Sequence, residues 1–123
     1  MSAAKLKTPL RGEIWFTQLH VDPPEKGKRP VLIVSMDGRN RHERADTALV
    51  IPLSTSIHKI SSVNVLLKAG ETGLQSDSIA LADNITVVPK ADLFEPRSRL
   101  RTLSDRRICE LATKVSMAMG CGL

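Results

Sequence analysis

Short apolar runs separated by polar turns recur along the chain, a pattern typical of a sheet built from short strands. The most apolar stretch lies within residues 28–35, Lys-Arg-Pro-Val-Leu-Ile-Val-Ser, and predicts a strand that is buried on both faces. Pro30 can open this strand, where no ladder donor is needed, and it biases Arg29 toward extended backbone. The pattern therefore holds the Arg29 guanidinium at the rim of a rigid sheet. There it is either an anion-binding or catalytic group or an ordinary surface arginine.

Other runs predict further strands and the connections between them. Alternating or continuous apolar residues predict strands at 13–19, 47–53, 61–67, 79–82 and 85–88, and a last short strand at 99–103. Pro52 predicts an edge position or a bulge near the end of the third strand. Residues 37–46 are predicted to form a long, mobile, basic loop and residues 68–77 a second long loop. Residues 89–93 predict a single helical turn.

The C-terminal segment predicts an amphipathic helix. Ser104 is the expected N-cap, and Leu103 can pack against Ile108 in a hydrophobic staple. The helix has one apolar stripe and ends at Gly120; the stripe comprises Ile108, Leu111, Ala112, Val115 and Met119. Six or seven short strands with one late helix predict a mainly β fold, a compact and partly open β-barrel. The helix either caps the sheet or serves an interface.

Composition predicts a single soluble globular domain. The chain has 123 residues, of which 41% are hydrophobic and 25% charged. We expect residues 1–10 to form a flexible N-terminal arm and residues 11–123 to form the domain. No apolar run approaches the ~20 residues of a membrane span, and the N-terminus lacks a signal-peptide core, so we expect a cytoplasmic protein without membrane contact. Cys109 and Cys121 match no metal-ligand spacing and predict reduced, structural thiols rather than a disulfide.

Positive charge is concentrated in three segments. The formal net charge is +5, and the clusters lie at residues 26–29, 39–44 and 97–107. Such clusters favour a polyanion or an acidic protein segment as partner, although a solvated charged face has the same composition. The chain has only three aromatic residues, one Trp and two Phe. A wide base-stacking platform is therefore not expected, and contacts to a nucleic-acid backbone would have to dominate.

RNA cleavage is the chemistry that these residues suit best. The 2′-hydroxyl of RNA can attack its own phosphate if a base removes its proton, an acid protonates the leaving 5′-oxygen and donors stabilise the charged intermediate. The planar fork of Arg29 matches phosphate oxygens, and Ser54 follows a strand that could neighbour it. Glu25 could pair with Arg29 or act as the base, or it is a solvated loop residue.

Other candidate chemistries have weaker signals. The chain contains no Gly-rich phosphate loop, no HExxH and no GxSxG. His20, His42 and His58 lie in unrelated polar contexts that are typical of surface histidines. Asp83 lies between two apolar strands, where a carboxylate usually accepts backbone N–H bonds in a turn; a general-base role is the alternative.

Several stretches, taken in order, resemble the MazF/PemK toxins of bacterial toxin–antitoxin pairs. They are residues 11–15, Arg-Gly-Glu-Ile-Trp; residues 25–35, the loop into the second strand; residues 50–55, Val-Ile-Pro-Leu-Ser-Thr; residues 73–78; residues 81–85, Leu-Ala-Asp-Asn-Ile; and residues 103–105 before the helix. The resemblance covers roughly residues 11 to 120. It rests on the order and spacing of the pieces together.

The resemblance implies an SH3-like barrel with a C-terminal helix, usually a homodimer, that cuts single-stranded RNA without metal or cofactor. It also implies 2′,3′-cyclic phosphate and 5′-hydroxyl products and a labile antitoxin whose acidic, partly disordered tail blocks the groove. Arg29 falls on the family's catalytic arginine, Ser54 on its phosphate-binding threonine and Glu25 near its loop glutamate. The predicted RNA contacts are Lys28, Arg39, Arg41, Arg44, Thr55, Ser56 and Asp83.

Two alternatives remain within the same fold. One is a non-enzymatic toxin or binding module such as the gyrase-poisoning toxins of the CcdB type, which act through a tryptophan at the end of the C-terminal helix. This chain ends Met-Gly-Cys-Gly-Leu, with no aromatic residue there. The other is a relative that has lost nuclease activity and serves only as an interaction module.

Overall fold

Six strands form one antiparallel sheet in the computed structural model, which describes residues 7–57 and 61–121. Their order in the sheet is β1-β2-β3-β5-β4, and β6 also pairs with β3. The strands are β1 Ile14–Thr17, β2 Arg29–Ile33, β3 Thr47–Ser54, β4 Val65–Leu67, β5 Ser78–Ala80 and β6 Thr86–Pro89. The helices are α1 Asp37–Arg41, α2 Ala69–Thr72 and α3 Asp105–Ala118, with 3₁₀ turns at Pro24–Lys26, Ala82–Asn84 and Lys90–Asp92. The mainly β fold with a C-terminal helix is as predicted, and the strands within the described residues form an open sheet.

The second strand is buried on both faces, as its apolar run predicts. Val31, Leu32 and Ile33 have no measurable exposure. Because successive side chains point to opposite faces, Leu32 packs in one apolar cluster together with Leu111 of α3, whereas Val31 and Ile33 pack in another. Packing on both sides holds the backbone of β2, and with it the position of Arg29 at the first residue of the strand.

Pro52 lies in a central strand, so the prediction of an edge is wrong. It pairs with Val31 of β2 on one side. On its other side β3 changes partner, because Val50 still pairs with Thr86 of β6 and Leu53 already pairs with Ala80 of β5. The missing N–H of the proline therefore falls where β3 passes from one neighbour to the next, and its carbonyl still accepts a bond from the backbone N–H of Leu81.

The predicted long loop at 37–46 contains a short helix instead. Asn40 of α1 is 1% exposed, and its amide nitrogen donates to the backbone oxygen of Ser35 at 2.8 Å. The Ser35 hydroxyl donates back to the amide oxygen of Asn40. The carboxylate of Asp37 also accepts from the backbone N–H of Arg11 at 2.7 Å. These contacts to other elements anchor a helix that the local sequence does not signal.

The second predicted loop, 68–77, also contains a helix, α2. Its first backbone N–H, that of Ala69, donates to the carboxylate of Asp77 at 2.8 Å, and Gly73 ends it with φ of +84°. The strand predicted at 61–67 is shorter, starting at Val65. Residues 99–103 form no strand, since Arg101 and Leu103 each donate one backbone bond, to Thr72 and Gly12 respectively, instead of joining a ladder. The turn predicted at 89–93 is present.

The C-terminal helix begins as predicted, but only part of its predicted apolar stripe is buried, since Ala112 and Met119 are exposed. The Ser104 hydroxyl accepts from the backbone N–H of Arg107, and Ile108 and Leu111 are buried. Arg107 ties α3 to the rest of the fold: its Nε lies 2.6 Å from the Glu71 carboxylate, and its Nη2 donates to the backbone oxygen of Leu66 at 2.7 Å. The hydrogen bond with Glu71 raises the pKa of Arg107 above its ordinary value.

The remaining expectations concern the chain's periphery. Lys7 of the predicted arm contacts the backbone oxygen of Leu93, while residues 1–6 lie outside the described part, so the boundary of the arm stays a prediction. Cys109 and Cys121 are both free and exposed. Among the described residues, no helix is long and apolar enough to cross a membrane.

Candidate active site

Arg29 and Ser54 lie at one rim of the sheet, where β2 begins and β3 ends. The antiparallel pairing of β2 and β3 reaches as far as Val31 opposite Pro52, so each of the two residues lies two positions beyond the last pair of this ladder. Both side chains line the same cavity, whose volume is about 530 Å³. The structure thus brings together the two residues on which the predicted chemistry depends.

The guanidinium of Arg29 is held in place by two groups. Its Nη1 lies 3.3 Å from both carboxylate oxygens of Asp22, and its Nη2 donates to the backbone oxygen of Leu53 at 2.9 Å. The Arg29 and Asp22 side chains are 20% and 8% exposed. A guanidinium carries five N–H donors, so donors remain for the oxygens of a phosphate in the cavity.

Asp22, which the sequence analysis did not single out, occupies the place expected of Glu25. Glu25 is exposed in the 3₁₀ turn Pro24–Lys26 and is not part of the cavity wall. Arg29 therefore pairs with Asp22 and not with Glu25, while the catalytic role of Glu25 stays a prediction. The only signal for Asp22 was its position before two prolines, which turn the loop so that its carboxylate returns to the start of β2.

The hydroxyl residues at the end of β3 and just after it line two different cavities. Ser54 and Ser56 line the cavity with Arg29, and the Ser54 hydroxyl accepts from the backbone N–H of Ser56 at 3.1 Å. Thr55 lines a second cavity instead. His20, which the sequence analysis treated as a surface residue, is exposed but forms part of the first cavity's wall.

The basic segment after β2 lies at the other end of the sheet within one chain. Arg39 donates from Nη2 to the Thr47 hydroxyl at 2.8 Å, and Thr47 is the first residue of β3 whereas Ser54 is the last. Eight residues of strand at about 3.3 Å each place these ends roughly 20 Å apart. Arg41 and Arg44 are exposed near Arg39. Their predicted RNA contacts are therefore not grouped with Arg29 in one chain.

The other predicted contacts are distributed around the rim. Asp83 is exposed in the turn Ala82–Asn84, and its neighbour Asn84 lines the first cavity. Lys28 lines the second cavity, with its ammonium 3.6 Å from the centre of the Phe94 ring. His42 Nδ1 accepts from the backbone N–H of Arg44, and His58 lies outside the described residues. Across residues 7–57 and 61–121, no three His, Cys, Asp or Glu side chains are grouped as metal ligands.

Comparison with known proteins identifies the family. Residues 10–119 match the model of the PemK-like, MazF-like toxin family of type II toxin–antitoxin systems. The chain belongs to this family. A curated relative, Endoribonuclease MazF9 of Mycobacterium tuberculosis, is 34% identical over 97 residues, which cover 73% of this chain and 80% of that protein.

Solved structures of PemK/MazF-family proteins share the fold. An endoribonuclease in complex with its cognate antitoxin from a mycobacterial species superposes with a TM-score of 0.70 at 24% identity, covering 94% of this chain and 98% of that one. MazF from Deinococcus radiodurans gives a TM-score of 0.70 at 18% identity, covering 93% and 98% respectively. The resemblance described from the sequence is confirmed, and it extends over nearly the whole chain.

Proposed function

We propose that this PemK/MazF-family toxin is an endoribonuclease that cuts single-stranded mRNA at a phosphate held between Arg29 and Ser54. The observation that carries the proposal is that the guanidinium of Arg29, held by Asp22, lines the same cavity as the hydroxyl of Ser54. A 34% identical relative named as an endoribonuclease supports the reaction class.

The reaction requires groups that hold the phosphate and the transfer of two protons. The RNA 2′-oxygen gives up its proton and attacks the adjacent phosphorus, the bond to the 5′-oxygen breaks, and the leaving 5′-oxygen takes up a proton from water. The products are a 2′,3′-cyclic phosphate and a 5′-hydroxyl. Arg29 donates to the non-bridging oxygens as negative charge builds up on them, and the Ser54 hydroxyl donates to the same phosphate. Asp22 holds the guanidinium plane, so little reorganisation is required when the phosphate arrives.

The proton of the 2′-hydroxyl needs an acceptor, and we assign His20 to this role. Asp22 is already engaged by Arg29, whereas the His20 imidazole lines the cavity and is exposed. A general base contributes about 10²–10⁴-fold to rate. His20→Gln should therefore lower kcat by about that factor with little change in KM. A wild-type kcat in this variant would assign the base elsewhere.

The biological role follows from the reaction. Cutting mRNA in the cytoplasm stops translation and growth, and a cognate antitoxin with an acidic, partly disordered tail covers the positive cavity until it is degraded. We also propose that the toxin is a homodimer, because apolar side chains such as Val87 and Met119 are 53% and 74% exposed on the single chain. A solved structural relative is in complex with its cognate antitoxin.

End-group analysis tests the proposal. Purified protein is incubated in EDTA with RNA that is labelled at either end, and the termini of the fragments are identified. We expect specific fragments with cyclic phosphate and 5′-hydroxyl ends, and no fragments from Arg29→Ala. Fragments with 5′-phosphate ends, or cleavage that Arg29→Ala retains, would overturn the assignment. If the protein inhibits the supercoiling of DNA by gyrase and does not cleave RNA, the CcdB-type alternative would be supported instead.

A further inference from the structure

A second cavity of about 530 Å³ lies on the opposite side of the rim from the proposed active site. Along β2 the side chains alternate, so Arg29 faces the first cavity while Lys28 and Pro30 line the second. Ser54 and Thr55 alternate in the same way at the end of β3. A single-stranded nucleic acid that crosses this rim would therefore pass directly from the first cavity into the second.

Phe94 is the feature of the second cavity that points to a base. Trp15 is 6% exposed, Phe16 is half-buried, and Phe94 is 40% exposed, which makes it the most exposed of the chain's three aromatic residues. Its backbone is bonded to Phe16 in both directions, at 2.8 and 2.7 Å. The ring is thus presented from a fixed backbone at the wall of an open cavity. Base–aromatic stacking tolerates any base, because every base has a π-face.

Several positive groups lie close to this ring, although Glu95 also lines the cavity. The Lys28 ammonium lies 3.6 Å from the ring centre and that of Lys7 lies 4.6 Å from it, while exposed Arg97 lines the same cavity. A ligand that matches both features has a flat aromatic face next to a negative charge, as a nucleotide does. The long side chain of Lys28 can move from the ring to a phosphate when a base stacks.

We propose that the second cavity is a nucleotide subsite, in which a base next to the cut phosphate stacks on Phe94 and the adjoining phosphate is bound by Lys28 and Arg97. The proposal rests on the proposed function for the identity of the polymer. It adds one stacking position to a surface that otherwise contacts the RNA backbone.

Changes to the protein and to the RNA, made singly and together, test the subsite. The cut site is first mapped with wild type. A set of RNAs, each with one abasic nucleotide at a different position next to the cut, is then assayed with wild type and Phe94→Leu. We expect Phe94→Leu to lower kcat/KM by roughly fivefold to a hundredfold on intact RNA, and to have little effect on the RNA that is abasic at one flanking position. Phe94→Trp keeps a ring and should retain wild-type kcat/KM. Met36→Leu, a 65% exposed residue beside α1 at the far end of the sheet, is the matched control and should be unaffected.

The outcomes separate this subsite from the reaction itself. If wild type cleaves RNA and Phe94→Leu equals wild type on every substrate, the subsite is refuted and the proposed function stands. If wild type does not cleave, equilibrium binding of labelled oligoadenylate still decides, since Phe94→Leu should weaken binding and Phe94→Trp should restore it. Phe94→Leu that weakens binding of an acidic peptide but not of RNA would assign the cavity to a protein partner and overturn the proposal.

Discussion

Removing the charge of Asp22 should lower the rate of cleavage without weakening the binding of RNA. Asp22→Asn keeps the shape of the side chain and one acceptor oxygen, but it removes the carboxylate that lies 3.3 Å from Arg29 Nη1. At that separation and an effective dielectric constant of ~20, the ion pair has about 5 kcal/mol of Coulomb energy before desolvation is subtracted. Without it the guanidinium has its bond to the Leu53 carbonyl as the remaining anchor that we identify.

Two effects of opposite sign follow. A loosened guanidinium meets the phosphate less well, and small misplacements of a catalytic group cost up to about 10²-fold, so kcat should fall by about 10- to 100-fold. The carboxylate also repels the RNA phosphate. For charges ~8 Å apart this repulsion is about 2 kcal/mol, and salt screening reduces it to below about 1 kcal/mol. KM should therefore stay constant or fall by up to about fivefold.

The assay is initial-rate cleavage of a mapped RNA at several concentrations, with circular dichroism to confirm folding. Glu43→Gln, an exposed carboxylate after α1, removes the same charge elsewhere and should change neither constant by more than about twofold. Glu25→Gln should resemble this control. An Asp22→Asn enzyme with wild-type kcat would refute the positioning role, and a raised KM would show that Asp22 instead contacts the RNA.

Two further predictions concern stability, measured by urea unfolding at one protein concentration. Gly12→Ala should destabilise the fold by at least about 2 kcal/mol, because Gly12 has φ of +91° and an added Cβ would lie 2.5 Å from the Leu103 carbonyl oxygen. Gly38 lies in α1, and a Cβ added there would have no neighbouring atom within 4 Å. Gly38→Ala should therefore stabilise the fold by about 0.5–1 kcal/mol. Equal effects of the two alanines would contradict this reading. Arg107→Ala should cost about 2 kcal/mol, because it leaves the Glu71 carboxylate and the Leu66 carbonyl without their shared donor, whereas exposed Arg106→Ala should stay within about 0.5 kcal/mol. An Arg107→Ala protein as stable as Arg106→Ala would show that this contact does not hold α3.

The elements that the sequence predicted best are those specified by neighbouring residues. The apolar run of β2 needed no partner to be recognised, and Ser104 before an apolar stripe marked the start of α3. The two short helices were missed because the bonds that hold them come from other segments. Asn40 is bonded to Ser35 and the start of α2 to Asp77, and neither pairing produces a periodic pattern.

The site was predictable to the same extent. Arg29 could be placed at a strand start from Pro30, but that it lines the same cavity as Ser54 depends on the pairing of β2 with β3, which only the structure shows. Asp22 was missed because its one signal, the two prolines that follow it, indicates a turn but not that the turn brings the carboxylate back to Arg29. The basic residues 39–44 were selected for their charge, which says nothing about which end of the sheet carries them.

The central claim is that Arg29 and Ser54 act on one phosphate, and a double-mutant cycle tests it most directly. Single-turnover rate constants for cyclic phosphate formation are measured for wild type, Arg29→Lys, Ser54→Ala and the double variant on one RNA. Each single change should slow the step by about tenfold or more, and the double variant should be less impaired than the product of the two by about fivefold or more, a coupling of about 1 kcal/mol. Rate losses that multiply without coupling, or a wild-type rate in either single variant, would contradict the account.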